Sequence, residues 1–313
     1  MTLTAAPQIA GVSIGLAGSG KATVDWGDGK TNSYALSNSI TDYSHDYSAS
    51  VGVHTITISG ERIVSLNCIY NKITSLDVSK NTALRELDCS NNQLTSLDVS
   101  KNAALKYLWC KDNQLASLDV RKNTALRELN CGGNPLQSLD VSANAALTRL
   151  ECYSSRLTNF DVSKNAALTK LRCGNNPLAN LDISKNVSLA ELDCSNTHLS
   201  SLDISGNKAL TSLNCSDNQL TNLAVNTNTA LTELNCSGNL LTSLDASKNA
   251  ALRDFNCSNN KLSATALDSL LGTLYDYTAT DAMPNAPQIN IRDNPGAKTC
   301  NKDIANDKNW FIN

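Results

Sequence analysis

The chain has 313 residues, 26 basic and 29 acidic, for a formal net charge of -3. A balance this close to neutral excludes the one-signed field that draws a protein to nucleic acid or an anionic membrane. Aromatic residues make up only 4% of the chain, too few for an aromatic-rich globular core and suited to thin layers of Leu, Asn, Ser and Asp stacked on one another. Met1 to Ala10 has neither a basic leader nor an apolar run, and no stretch approaches the ~18 consecutive apolar residues of a membrane span, so no membrane insertion of this segment is expected.

In chain order, residues 1–60 show short β-like runs, Ala22 to Trp26 and Val53 to Ile58, separated by Gly and Asp turns, and read as a small β module that caps the N-terminal end of the repeats. Within it, Gly15-Leu16-Ala17-Gly18-Ser19-Gly20-Lys21-Ala22 falls one residue short of a phosphate-binding loop. Ala22 stands where the hydroxyl should be, and a strand pattern comes next where a helix should start, so a Gly-rich hairpin is expected rather than a nucleotide site.

From residue 61 to 263 a period of 21 residues takes over. Cysteines recur at 68, 89, 110, 131, 152, 173, 194, 215, 236 and 257, and around each runs a pattern such as Leu84-x-x-Leu87-x-Cys89-x-x-Asn92-x-Leu94. This resembles the leucine-rich-repeat consensus with Cys in place of one Leu. The fold class expected is a leucine-rich-repeat solenoid with a parallel β-sheet on one face and short extended or 3₁₀ segments on the other. Alternation along each strand turns Leu87 and Cys89 inward and Glu86, Asp88 and Ser90 outward. Two Asn ladders, one through Asn81, Asn102 and Asn123 and the other through Asn71, Asn92 and Asn113, should satisfy inward-facing backbone donors and acceptors together. Residues 264–313 read as a C-terminal cap. A helix-like Ala264 to Leu274 and one modified coil, Gln288 to Gly296, precede a short amphipathic helix over Asn301 to Asn309 that places Ile304, Trp310 and Phe311 over the core end.

Candidate chemistry is sparse. Ten thiols in register inside a dry coil are expected to be free and buried, because parallel side-chain vectors suit neither a disulfide nor a converging metal site. An outward row at Asp77, Asp98, Asp119, Asp140, Asp161, Asp182, Asp203 and Asp245 reads as turn-capping, with Ca²⁺ binding as the alternative. His45, His54 and His198 lie far apart with no paired nucleophile pattern, so no catalytic residue, metal site or cofactor is expected and the chain is not read as an enzyme.

The informative departures are the outward strand positions. Most coils carry Glu, Asp, Asn or Ser there, but three central ones present Tyr107, Trp109 and Lys111, then Arg149, Glu151 and Tyr153, then Lys170 and Arg172. Trp, Tyr and Arg are the residues that binding hot spots use. Glu128, Asn130 and Gly132 lie between the first two groups and should leave a shallow place between aromatic walls.

Two resemblances add to this reading. The segments Val24-Asp25-Trp26-Gly27-Asp28-Gly29, Tyr43-Ser44-His45-Asp46-Tyr47 and Gly52-Val53-His54-Thr55-Ile56-Thr57-Ile58 resemble PKD-like extracellular β-sandwiches. The whole pattern, through the repeated L-D-V-S-K-N and L-x-C-S-x-N units to the Asn294-Pro295-Gly296 end, resembles bacterial internalin-like leucine-rich-repeat proteins. That resemblance implies a secreted or cell-surface protein acting in adhesion or recognition. It would bind a protein or glycan through the central concave face of the solenoid. The alternative is a structural spacer or assembly component, and an enzyme is a distant third.

Overall fold

The computed structural model describes residues 1–7, 9–48, 52–277 and 286–313, which form two compact units, Met1–Leu157 and Thr158–Asn313.

The first unit begins with eight strands: β1 (Thr2–Ala5), β2 (Gly11–Ser19), β3 (Lys21–Asp25), β4 (Thr31–Ala35), β5 (Thr41–Asp46), β6 (His54–Ser59), β7 (Arg62–Asn67) and β8 (Ile73–Asp77). One sheet runs in the order β4-β3-β6-β1-β8, all antiparallel. Leu3, Val24, Ile56 and Ile58 lie on its buried side, as strict alternation along each strand requires. The second sheet starts with β5 and β2 and passes through β7, which pairs antiparallel with β2 and parallel with β9 (Glu86–Asp88). It then continues in parallel through β10 (Tyr107–Trp109), β11 (Glu128–Asn130) and β12 (Arg149–Glu151). β7 is therefore where hairpin pairing hands over to repeat pairing. The phosphate-loop look-alike lies at the β2–β3 connection, whose turn at Gly20 has φ +83°; the hairpin expected there does not form, because β2 pairs with β5 and β7 while β3 crosses to the other sheet and pairs with β4 and β6.

Each coil has only three residues of regular strand, yet its core is continuous. In one coil Leu84, Leu87, Cys89, Leu94, Leu97 and Val99 are all buried, and burying side chains of this size contributes roughly 1.5–3 kcal/mol each for the larger ones. Cys fits beside Leu here because a thiol behaves as a small apolar group. All ten ladder cysteines are buried and free. Away from the strands, β8 is extended because β1 pairs with it; in the following coils of this unit the equivalent stretch has no such neighbour and forms turns instead.

The two Asn ladders do different work. Asn113 Oδ1 accepts the Leu94 N–H at 3.0 Å while Nδ2 donates to the carbonyls of Cys89, Cys110 and Lys111 at 3.0, 3.0 and 3.3 Å. That is the two-way satisfaction expected from an amide. Asn123 in the other ladder only donates, to Val99 and Asn102 carbonyls at 2.9 Å each, and its Oδ1 has no partner. The reason is local. The Asn123 N–H already donates to the Val120 carbonyl and the Leu126 N–H to the Asn123 carbonyl, so two successive turns consume the donors that an amide oxygen would accept.

The second unit repeats the parallel scheme through β13 (Lys170–Arg172), β14 (Glu191–Asp193), β15 (Ser212–Asn214), β16 (Glu233–Asn235) and β17 (Asp254–Asn256), then β18 (Gln288–Asn290) and β19 (Phe311–Ile312). Helix α1 (Ala264–Thr273) starts at Ser263, whose hydroxyl accepts the Ala266 N–H, a sequence-readable N-cap. Its C-terminal carbonyls at Leu271, Gly272 and Leu274 are met by Lys308 Nζ at 3.3, 2.6 and 3.0 Å. Helix α2 is only Asp303–Asn306, shorter than the spacing suggests. Trp310 is buried as expected, but Phe311 is 58% exposed because it opens β19. No helix among the described residues is long and apolar enough to cross a membrane.

Candidate functional site

Parallel register fixes the outward grid of the first unit. Tyr107 stands between Glu86 and Glu128, and Trp109 between Asp88 and Asn130. Leu108, between the two aromatics, is buried, so both rings leave the same face. They stack with centroids 5.6 Å apart and planes 14° from parallel. Near-parallel stacking of this kind holds the two rings against each other.

The next two coils are tied laterally. Arg149 Nη1 lies 3.8 Å from Glu128 Oε2, and Asn130 Nδ2 donates to Glu151 Oε2 at 3.1 Å. Lys111 Nζ lies 3.8 Å from Asp112 Oδ2. Gly132 does not leave an open place between aromatic walls. A Cβ built on Gly132 would stand 2.8 Å from Tyr153 Cε1, so the Tyr153 ring already occupies that space. Burial raises the Tyr153 phenol above its ordinary value.

The open groove lies on the other side of Trp109. It encloses about 350 Å³ and is lined by Tyr70 and Trp109 with Asp88, Ser90, Lys111 and Asn130. Sequence reasoning passes over Tyr70 because it belongs to a turn, not to a strand. The available signal is its place in the repeat: Asn91, Asp112, Gly133 and Ser154 occupy the same left-handed turn, at φ +57°, +53°, +66° and +50°, and Tyr70 sits there at φ +58°. Asn, Asp and Gly tolerate that conformation, whereas a bulky ring rarely adopts it. Tyr70 is also 72% exposed.

In the second unit, Lys170 Nζ makes a 2.6 Å ion pair with Glu191 and is largely covered, whereas Arg172, in register with Asp193, is exposed. The cation at 170 is thus matched within its own unit.

The remaining sequence features resolve as packing. His45 Nε2 and Asp28 Oδ2 are 2.8 Å apart, and His45 stacks on Trp26 at 4.8 Å. Tyr47 donates its hydroxyl to the Trp26 carbonyl, and His54 stacks on Tyr47 at 3.9 Å. Close in sequence, His45 and His54 both pack on Tyr47 and form a plug of the β module. Each Asp of the outward row accepts the N–H two residues on, as at Asp77–Ser79 and Asp98–Ser100, both 2.8 Å. These hydrogen bonds hold both carboxyls below their ordinary range, together with the serine hydroxyls beside them. Among the described residues no group of three or more His, Cys, Asp or Glu is placed to hold a metal ion.

Comparisons with known proteins agree with this architecture. The leucine-rich-repeat family model matches residues 83–102, a single repeat. No curated protein matches the chain. Among solved structures, the functional domain of InlJ from Listeria monocytogenes, described as including a cysteine ladder, is 38% identical over 74% of this chain and 49% of its own, with a TM-score of 0.67. The chain thus spans about half the length of that relative. The internalin InlF of the same organism is 17% identical over 80% of this chain and 86% of its own, with a TM-score of 0.53. The Leptospira interrogans leucine-rich-repeat protein LIC12759 is 19% identical over 79% of this chain and 83% of its own, with a TM-score of 0.54. Those two likenesses concern the fold alone. With its 21-residue register and its row of buried thiols, the chain is a leucine-rich-repeat solenoid that is similar to the cysteine-ladder domain of InlJ.

Proposed function

We propose that the chain is an exported bacterial recognition or adhesion module that binds a protein or glycan through the outward face of its repeat strands. The observation that carries this reading is the Tyr107–Trp109 stack, two half-exposed aromatics set among small, acidic and amide side chains. Rigid aromatics offer large contact area at little entropic cost and dominate the energetics of binding surfaces. Lys111 follows the stack on its own coil, and Arg149, Glu151 and Tyr153 two coils on add charged and polar groups that would fix orientation. Arg172 offers an exposed cation in the second unit, beside Lys170, which would have to leave Glu191 to take part. Export and a surface location rest on the internalin resemblance. Binding rather than catalysis rests on the lack, among the described residues, of any acid, base or nucleophile with a role to name.

The test is a screen of the purified protein against glycan and extracellular-protein arrays, beside the Trp109→Ala, Tyr153→Ala double variant. Loss of a hit in the variant supports the strand face. A hit that survives moves the site elsewhere on the molecule. The absence of any hit favours a structural spacer.

A further inference from the structure

We infer that the groove between Tyr70 and Trp109 binds a neutral sugar ring; the inference rests on the recognition reading above and names the ligand class of one part of that face. The groove offers two aromatic surfaces, and a pyranose presents flat patches of C–H that pack on such surfaces while its edge carries hydroxyls. At about 350 Å³ it lies at the small-ligand end of the usual range for pockets.

Its polar lining suits hydroxyls, each of which donates and accepts. Asp88 spends Oδ1 on the Ser90 N–H at 3.0 Å and makes no hydrogen bond through Oδ2 among the described residues. Ser90 is 3% exposed and its hydroxyl has no partner, a buried polar group that native structures seldom leave unmet. A small rotation of that hydroxyl side chain lets it meet a bound hydroxyl. Asp88 and Lys111 both line the groove, so its lining carries no net positive charge to draw an anion. An anionic sugar is therefore disfavoured.

An extended peptide is disfavoured for a different reason. The carbonyls of Asp88, Ser90, Trp109, Lys111 and Asn130 all accept from the neighbouring coil, from Cys68, Tyr70, Cys89, Asn91 and Cys110 respectively. No free strand edge is left here for a peptide backbone to pair with, so recognition must come from side chains. Tyr70 strengthens the case. Its ring is held out to solvent from a backbone conformation that its counterparts fill with the small residues Asn, Asp, Gly and Ser.

The experiment is calorimetric titration of the whole chain with neutral gluco-, galacto-, manno- and N-acetylglucosamine oligosaccharides and with sulfated oligosaccharides, alongside the array screen. Trp26 and Trp310 are buried and Trp109 is half-exposed, so tryptophan fluorescence gives an independent local readout. Binding of at least one neutral series is expected, with a shift in Trp109 emission. Two variants, Trp109→Ala and Tyr70→Asn, are each expected to weaken it by about tenfold or more. Tyr70→Asn keeps the turn, as Asn91 does one coil later, and is expected to raise the thermal midpoint while it weakens binding. Sugar binding untouched by both variants, or confined to the sulfated series, overturns the inference. A protein ligand lost with Trp109→Ala while no neutral sugar binds overturns the sugar but keeps the recognition reading; no ligand of either class overturns both.

Discussion

Tyr153 packs on Gly132 so closely that a methyl group at residue 132 would stand 2.8 Å from the ring's Cε1. The contact reaches the movable end of a side chain, so Gly132→Ala is expected to fold and to push the ring outward. Burial is the first cause of the raised Tyr153 phenol, so displacement should bring its ionisation back toward the ordinary tyrosine range. Alkaline absorbance titration, referenced to Tyr153→Phe, checks this. An unchanged titration would mean that the ring stays buried.

The ladder through Asn113 makes more side-chain hydrogen bonds at that residue than the ladder through Asn123 makes at its own. Asn113→Ala removes the acceptor for Leu94 and the donor for three carbonyls inside the coil. The expected loss is about 2–4 kcal/mol of unfolding free energy, because buried backbone groups are left unmet. Asn123→Ala loses two donated bonds but also deletes an oxygen that has no partner, so it should cost less. Urea unfolding of the two variants side by side tests the order.

The thiols give a pH prediction of one sign. Burial pushes Cys131, Cys173, Cys215 and Cys257 up to about 12. A group whose folded pKa is raised stabilises fully below its unfolded pKa and loses that contribution as pH rises toward the folded value. Stability should therefore fall steadily above about pH 8.5, where free thiols ionise in the unfolded chain. In the native protein at neutral pH only Cys300, which is partly exposed, should react with an aromatic disulfide reagent, and all eleven after denaturation. Fast labelling of several native thiols would contradict the burial.

On the acid side, the His45 hydrogen bond holds the Asp28 carboxyl below its ordinary value. A depressed carboxylate contributes stability that is present above its unfolded pKa and lost as pH falls through the folded one. The β module should thus loosen in that acid window, with Tyr47 and Trp26 fluorescence as the signal. Asp28→Asn should flatten the response. Acid sensitivity identical in the variant would place its origin elsewhere.

The repeat made much of this fold readable from sequence. A 21-residue period fixes which side chains turn inward, and the observed burial of Leu84, Leu87 and Cys89 follows from strand alternation alone. The Asp-to-Ser N–H bonds were equally legible, since an Asp two residues before a free N–H has a local reason to bond it. What the pattern hid were contacts between coils. Tyr153 filling the space over Gly132 depends on a ring reaching sideways across 21 residues. The partnerless Asn123 oxygen depends on how neighbouring turns spend their N–H groups. Tyr70 escaped because its role comes from the coil it leans toward rather than from the strand pattern. Phe311 escaped because an apolar residue in a terminal segment reads as core until the strand it starts is seen.

Every carbonyl along the floor of the groove is spoken for by the next coil, and the inward Leu, Cys and Asn positions pack and bond beneath it. The first outward position of each strand, Glu86, Tyr107, Glu128 and Arg149 in turn, carries little of that duty, whereas the next, as at Asp88 and Asn130, accepts a main-chain N–H two residues on and is less free to change. Exchanging that first position changes the character of the surface at little cost to folding, so the proposed recognition could be retuned one residue at a time without first finding a new stable protein.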